Sequence, residues 1–326
     1  MKKLANVFFT ITAGVFMTFL IIKIMPGDPV TILANELRST QGISEADAMS
    51  RAISMLNYDP SQPLLQQIGH FILQLLKGDL GTSIRFRTPV LSIVLSALPW
   101  TLFSAGVATI LSYMAGTRIG LMVAWCKNKR LNTVTETLTS MVGSFPDYLI
   151  GFFLVSLFAV QLVWLPSRGA YGSQVMVGLN LPFLISVARH GILPISAIFV
   201  VYLANWILNM RGSAMNVMHQ EYIKYARARG LSDGVIRKKY VGKNARLPMI
   251  TTLGTTFGLL LGGAPLIENI FSYPGLGYYL NTAIAVRDIP LMQGMFFMII
   301  VTVVGANVIV DTLYGYLDPL LRRQTE

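Results

Sequence analysis

Few residues in this chain could perform chemistry, and their spacing does not favour catalysis. The three histidines, His70, His190 and His219, fall in separate parts of the sequence, and no His-Glu-x-x-His metal pair occurs. The single cysteine, Cys126, excludes an internal disulfide and a cysteine metal cage. An intramembrane enzyme is therefore the weaker alternative class, and we expect no metal site and no cofactor bound by this chain.

Residues 211–246 have the composition of a binding surface. Ala226, Ala228 and Gly230 are small, and a helix end with little side-chain bulk can enter a cleft on another protein. Propensity favours a helix over about residues 216–229, and Gly230 would cap its C-terminal end.

A second helix is predicted directly after this turn. Ser232 can cap it, and Asp233 would lie in its first turn, where the helix dipole favours an anion. The alternative interpretation of the whole segment is an amphipathic basic stretch that rests on lipid head groups.

Polar side chains inside otherwise apolar runs are the candidates for a solute pathway. An ionisable group at membrane depth defaults to a functional hypothesis, although groups near the end of a span can reach water by snorkelling. We favour structural roles for Arg118 and Asp147, and a place in an outer gate for Glu268. The other pathway candidates are Asn205, Asn209 and Asn307.

The elements that position these residues are predicted to be transmembrane helices. Apolar residues make up 53% of the 326 positions and charged residues 13%, whereas a soluble domain carries about 25% charged residues. Uncharged runs near or above the roughly 18 residues that cross a bilayer predict six helical spans. These runs are Leu4–Ile22, Val90–Thr117, Tyr148–Leu165, Gly191–Met210, Leu247–Ile267 and Ile289–Val310.

The distribution of lysine and arginine predicts that both termini are cytoplasmic. Six spans put the termini on one side, which collects sixteen Lys and Arg residues against three in the short loops opposite. The net charge of +11 then follows from topology, so we expect no nucleic-acid partner. The sixteen are Lys2, Lys3, Lys127, Lys129, Arg130, Arg211, Lys224, Arg227, Arg229, Arg237, Lys238, Lys239, Lys243, Arg246, Arg322 and Arg323.

The chain is thus predicted to be an all-α membrane protein in three parts. Residues 1–25 form a first transmembrane anchor, and residues 26–90 form an extracytoplasmic loop subdomain. Residues 91–326 form the transmembrane core, with a cytoplasmic loop at about 212–247. The segment 26–90 is either a structured loop or a docking surface for a protein that delivers the solute.

Residues 222–248 resemble the cytoplasmic coupling loop of ABC importer permeases, in particular the peptide and nickel permease group. Tyr222 and the run Ala226–Ser232 match that group's tyrosine and its Ala-Arg-Ala-Lys-Gly-Leu-Ser pattern. Lys243–Pro248 match its Arg-Asn-Ala-Leu-Leu-Pro pattern, whereas Lys224 and Tyr225 stand where the general motif has glutamate and alanine.

Further matches run from one end of the chain to the other. Their order and spacing resemble the first permease of dipeptide and oligopeptide systems. They are Met25–Pro29, Gly78–Ser83, Glu268–Gly277, Asp311, Tyr314, Asp318 and Pro319, although Leu320 stands where an arginine is expected.

The resemblance implies a multi-pass permease subunit of the bacterial inner membrane that forms half of a pathway for di- or oligopeptides. It implies a second homologous permease, an extracytoplasmic substrate-binding protein and two ATP-binding subunits that hold ATP and Mg, and this chain lacks a Walker A phosphate loop of its own. The implied contacts with the ATPase are Tyr222, Tyr225, Ala226, Arg229, Gly230, Leu231 and Asp233.

Two questions stay open at this stage. Permeases of the same group also carry nickel chelates, glutathione and some oligosaccharides, so the cargo is not fixed. A secondary transporter is the other rival, but it would need paired repeats with broken helices and would leave the coupling loop unexplained.

Overall fold

The computed structural model describes residues 2–24, 29–56, 62–263 and 265–317, and most of these are helical. The only β-type pairing among them is an isolated bridge between Thr82 and Pro89, so the predicted all-α class is confirmed for the described residues. The sequence matches at Met25–Asp28, Asp318 and Pro319 lie outside these residues, as do Arg322 and Arg323.

The helices before the middle of the chain include two short helices that pack on each other. The polypeptide forms α1 (Lys2–Ile24), α2 (Pro29–Gln41), α3 (Glu45–Leu56), α4 (Leu64–Leu76), α5 (Val90–Trp125), α6 (Lys129–Gly143) and α7 (Asp147–Leu154), which continues as a π-helix over Val155–Gln161.

The later helices include the second long apolar helix and the last span. They are α8 (Leu181–Met218), α9 (Glu221–Ala228), α10 (Asp233–Val235) with a π-helix over Ile236–Val241, α11 (Gly242–Gly263), α12 (Pro265–Ile270), α13 (Leu276–Val286) and α14 (Ile289–Leu317).

Three described helices are long and apolar enough to cross a bilayer: α5, α8 and the Ile289–Ile309 part of α14. A shorter apolar stretch, Ala5–Ile21, lies in α1. These match four of the predicted runs in position. The total of six spans stays a prediction.

The other two predicted runs differ from their expected bounds. The helix that begins at Asp147 ends at Gln161 rather than Leu165, and it follows α6 after a bend of 90°. For the run Leu247–Ile267, α11 begins earlier, at Gly242, and the described residues lie in α11 and α12 on either side of residue 264.

The chain forms two compact units, each with its own apolar core. The first unit consists of Met1–Thr101 with Pro274–Val304, and the second of Leu102–Tyr273 with Gly305–Glu326. In the first unit, one cluster joins α2 to α3 and another joins the start of α5 to α13 and α14. In the second, α8 packs with α9 and with the helical segment that follows.

Candidate functional site

The segment predicted to bind a partner forms a short helix between two turns. The predicted helix over 216–229 is interrupted, because α8 ends at Met218 and α9 begins only at Glu221. His219 and Gln220 make the break. We call residues 219–232 the Gly230 loop.

Gly230 closes α9 with the hydrogen bonds of a Schellman motif. Its N–H donates to the Arg227 carbonyl at 2.9 Å, and the Leu231 N–H donates to the Ala226 carbonyl at 3.3 Å. Gly230 has φ of +75°, in the left-handed region that glycine occupies without steric penalty. The predicted cap is therefore present.

The predicted cap on the following helix is wrong in its chemistry. Ser232 stands at the N-cap position of α10, but its side chain makes no capping hydrogen bond. Its backbone carbonyl instead accepts from the Val235 and Ile236 N–H groups at 3.0 Å. Asp233 does lie in the first turn, and its side chain is exposed.

One face of α9 is buried in the core of the second unit. Ile223 and Ala226 are 1% and 3% exposed. They pack in a cluster with Met210 of α8 and with Ile236 and Val241 of the π-helix, and Leu231 contacts the same cluster. The Schellman hydrogen bonds at its C-terminal end and the apolar packing of Ile223 and Ala226 thus hold this helix of 8 residues in place.

The opposite face of the Gly230 loop is exposed. Tyr225 is 70% exposed and Tyr222 is 40% exposed, and Arg229 and Gly230 are exposed as well, as is Asp233 directly after the loop. Of the residues predicted to contact an ATPase, these five are accessible. Ala226 is buried and Leu231 half-buried, and both side chains pack on the apolar core of the second unit.

A cation–π contact that the sequence did not single out also fixes α9. The Arg227 guanidinium lies 5.9 Å from the ring centroid of Trp125, the last residue of α5. Tyr222 has a further contact, because the Asn244 amide donates to its hydroxyl at 3.2 Å. A tryptophan at the end of an apolar run is a signal for an interfacial residue, but its partner 102 positions later has no local signal.

The four predicted pathway residues fall on three helices, α8, α12 and α14. Asn205 lies against the end of α6, because a Cβ built on Gly143 would stand 3.0 Å from its Oδ1. Asn307 lies against α11, because a Cβ built on Gly258 would stand 2.8 Å from its Oδ1. Asn209 is exposed on α8, one turn after Asn205. Glu268 is 1% exposed in α12, so it is a buried residue in this conformation.

The histidines are bonded locally where their side chains are described. His190 Nδ1 lies 2.8 Å from the Ser186 carbonyl and His219 Nδ1 lies 2.7 Å from the Met215 carbonyl, each one turn back in α8. Among the described side chains, no three His, Cys, Asp or Glu residues are placed to hold a metal ion.

A family model described as the binding-protein-dependent transport system inner membrane component matches residues 116–323. The chain belongs to this family. The match contains the whole Gly230 loop and all four pathway candidates. We therefore identify the protein as an inner-membrane permease subunit of an ABC importer.

Curated relatives extend the similarity to the whole permease. It is 31% identical over 322 residues to the glutathione transport system permease protein GsiC of Salmonella choleraesuis (strain SC-B67), covering 99% of this chain and 98% of that protein. GsiC of Salmonella typhimurium (strain LT2) is 30% identical over 99% and 98% of the two chains. GsiC of Escherichia coli (strain K12) is 29% identical over 98% and 97%.

The permease also contains a buried carboxylate that the sequence did not single out. Asp288 is 0% exposed, and its Oδ1 accepts from the Leu291 N–H at 3.2 Å as the N-cap of α14. An aspartate just before Ile289-Pro290 is a readable capping signal. Its second partner, Ser83, lies 205 positions earlier and could not be predicted from local pattern.

Proposed function

We propose that this permease imports small peptides and that its Gly230 loop receives the ATPase subunit that drives transport. The division of α9 into two faces carries the proposal. Ile223 holds the helix on the core, while Tyr225 on the same helix is 70% exposed. A helix that is held on one side and bare on the other suits a cleft in a partner protein.

The proposed coupling follows from this attachment. Because α9 shares its apolar cluster with α8 and with the segment up to Met249, a displacement of α9 carries the ends of those helices with it. Ligand and ATP then need only different affinities for the inward-open and outward-open states. The proposed complex contains two ATP-binding subunits that hold ATP and Mg, a second homologous permease and an extracytoplasmic binding protein.

Small peptides are the proposed cargo because the similar permeases are named for glutathione transport, and glutathione is a tripeptide. Nickel chelates and oligosaccharides are the alternative cargoes of the same permease group. A peptide backbone offers repeated donors and acceptors, which the exposed amide of Asn209 can meet without specificity for side chains. Glu268 is the proposed outer gate residue.

We also infer six spans with both termini in the cytoplasm. Arg118, Arg211 and Arg246 each border an uncharged run. Contacts between α5, α8 and α11 support one common level for them. A Cβ on Gly120 would lie 3.2 Å from the backbone nitrogen of Arg211. The Ser213 hydroxyl donates to the Ala245 carbonyl at 2.9 Å. Three arginines near one level of these helices fit the cytoplasmic edge of the hydrocarbon.

The sole cysteine allows a direct test of this orientation. Cys126 follows α5 and is half-buried. A membrane-impermeant maleimide should label it in inside-out vesicles and leave it unlabelled in right-side-out vesicles. Labelling only in right-side-out vesicles would invert the proposed topology.

The coupling proposal is tested by changing the bulk of the exposed turn. In the Gly230→Trp variant we expect peptide uptake to be lost while the assembled complex stays in the membrane, since no atom lies within 4 Å of a Cβ at this position. The matched control is Gly230→Asn, because asparagine tolerates a positive φ and adds little bulk. Normal uptake by the tryptophan variant would overturn the proposal.

The cargo needs a separate measurement. Proteoliposomes that contain the complete importer should accumulate labelled glutathione or a dipeptide in the presence of ATP and the binding protein, and an excess of unlabelled peptide should compete. Competition by a nickel chelate or an oligosaccharide, with none by peptides, would assign the alternative cargo and leave the coupling proposal standing.

A further inference from the structure

One short loop in the first unit contacts three different elements. Residues 83–87 lie between the Thr82–Pro89 bridge positions, and Ile84 packs on the apolar cluster that joins α2 to α3. The Phe86 ring meets Tyr279 of α13 edge-on, with 5.5 Å between centroids. Ser83 and Arg85 contact Asp288, which precedes α14.

Asp288 accepts hydrogen bonds from both sides of this contact. Its Oδ2 accepts from the Ser83 hydroxyl at 2.5 Å and from the Arg85 N–H at 3.0 Å, while Oδ1 caps α14 through Leu291. The Ser83 oxygen in turn accepts from the Phe86 N–H at 3.0 Å. We call residues 83–87 and 287–291 the Asp288 junction.

An ion pair also links the junction to α2. Arg87, which has φ of +53°, places its guanidinium 3.8 Å from the Glu36 carboxylate. This pair is exposed and contributes little by itself. The buried contacts of Ser83, Ile84 and Asp288 therefore hold α2 and α3 to the start of α14.

We propose that Asp288 is a positioning residue that fixes the α2–α3 pair to α14, so that a protein docked on the pair acts on α14. This rests on the proposed function, whose complex contains a substrate-binding protein, and takes the segment 26–90 as the surface on which that protein docks. The outward face of the pair is polar and suits a water-soluble partner, since Ser39, Glu45 and Arg51 are exposed while Ala48 and Ala52 are fully buried.

Two variants remove the hydrogen bond between Ser83 and Asp288, one from each side of the contact. Asp288→Ser keeps an oxygen that can cap α14 but is too short to reach Ser83 and Arg85. Ser83→Ala removes the hydroxyl and leaves the capping carboxylate intact. The control is Asp79→Asn in the same loop region, because the Asp79 carboxylate is exposed and accepts only the local Gly81 N–H at 2.8 Å among its described contacts.

Hydrogen exchange and ATPase stimulation of the assembled importer test the proposal together. We expect amides of residues 83–88 to exchange at least tenfold faster in both variants, with the Met292 amide unchanged and the control like wild type. Stimulation of ATP hydrolysis by the loaded binding protein should fall at least tenfold, while unstimulated hydrolysis stays within twofold.

Each other outcome has a defined meaning. Unchanged exchange of the 83–88 amides in both variants would show that the Asp288 carboxylate does not hold the loop. Faster exchange with full stimulation of ATP hydrolysis would show that the Ser83–Asp288 contact does not transmit docking of the binding protein. The same loss in Asp79→Asn also overturns the proposal. If no peptide-loaded binding protein stimulates ATP hydrolysis by the wild-type importer, the proposed function fails. The exchange measurement still decides whether Asp288 holds the 83–87 loop.

Discussion

The Gly230 loop and the Asp288 junction end a helix with the same hydrogen-bond pattern but fill its left-handed position with different residues. In α13 the Arg287 N–H donates to the Ile284 carbonyl at 3.3 Å, and the Asp288 N–H donates to the Ala283 carbonyl at 2.9 Å. These are the bonds that Gly230 and Leu231 make to α9. The left-handed residue is glycine in one turn and Arg287, with φ of +56°, in the other.

The difference separates an exposed turn from a buried joint between elements. Gly230 is exposed, has open space where a Cβ would be, and depends on the apolar face of α9 for its position. Arg287 carries the steric cost of an L-residue, about 1–2 kcal/mol, and is followed at once by a fully buried, hydrogen-bonded carboxylate. The Gly230 turn is thus positioned by apolar packing on the other face of its helix and stays exposed. The Arg287 turn is held by the hydrogen bonds of the buried Asp288 carboxylate.

The largest expected effect comes from the packing side of this comparison. Ile223→Ala should lower the free energy of unfolding by about 2–5 kcal/mol, because it deletes a side chain that is 1% exposed from the cluster beneath α9. Denaturant unfolding of the purified complex measures it. The matched control is Tyr225→Ala on the exposed face, which should change stability by less than about 0.5 kcal/mol and instead weaken binding of the ATPase subunit. Equal stability losses would erase the distinction between the two faces.

The next effect isolates the backbone of the Gly230 turn. Gly230→Ala should destabilise the permease by about 1–2 kcal/mol, since a Cβ meets nothing within 4 Å and only the positive φ is penalised. Thermal unfolding in detergent measures the change. Gly230→Asn should cost less than Gly230→Ala, and a reversed order would mean that a side-chain clash, not φ, sets the penalty.

The reciprocal change should stabilise the other turn. Arg287→Gly removes about 1–2 kcal/mol of left-handed strain and adds about 0.5–1 kcal/mol of backbone entropy on folding. The expected net gain is about 0.5–1 kcal/mol, visible as a small rise in the unfolding midpoint. A loss of stability would show that the exposed Arg287 side chain makes contacts that outweigh its backbone strain.

The sequence could predict the local half of both turns. A glycine after a helix-forming stretch and an aspartate before Ile289-Pro290 each mark a helix end within a few residues. The break at His219 and Gln220 was not predictable, because residues on both sides favour helix. The Ser83–Asp288 and Trp125–Arg227 contacts were not predictable either, since pairing across 205 and 102 positions leaves no periodic pattern in one sequence.

The smallest expected effect concerns charge on the Gly230 loop. Lys224 pairs with Glu221 at 2.8 Å, but both side chains are about 70% exposed (69% and 72%), so the pair is screened by water. Lys224→Ala should therefore change the free energy of unfolding by less than about 0.5 kcal/mol. If the exposed face serves a partner, the same variant should weaken binding of the ATPase subunit a few-fold at low salt and less at high salt, because exposed charges act over about a Debye length. A stability loss like that of Ile223→Ala, with unchanged ATPase binding, would show that Lys224 stabilises the fold as Asp288 does. The two turns would then not differ as described.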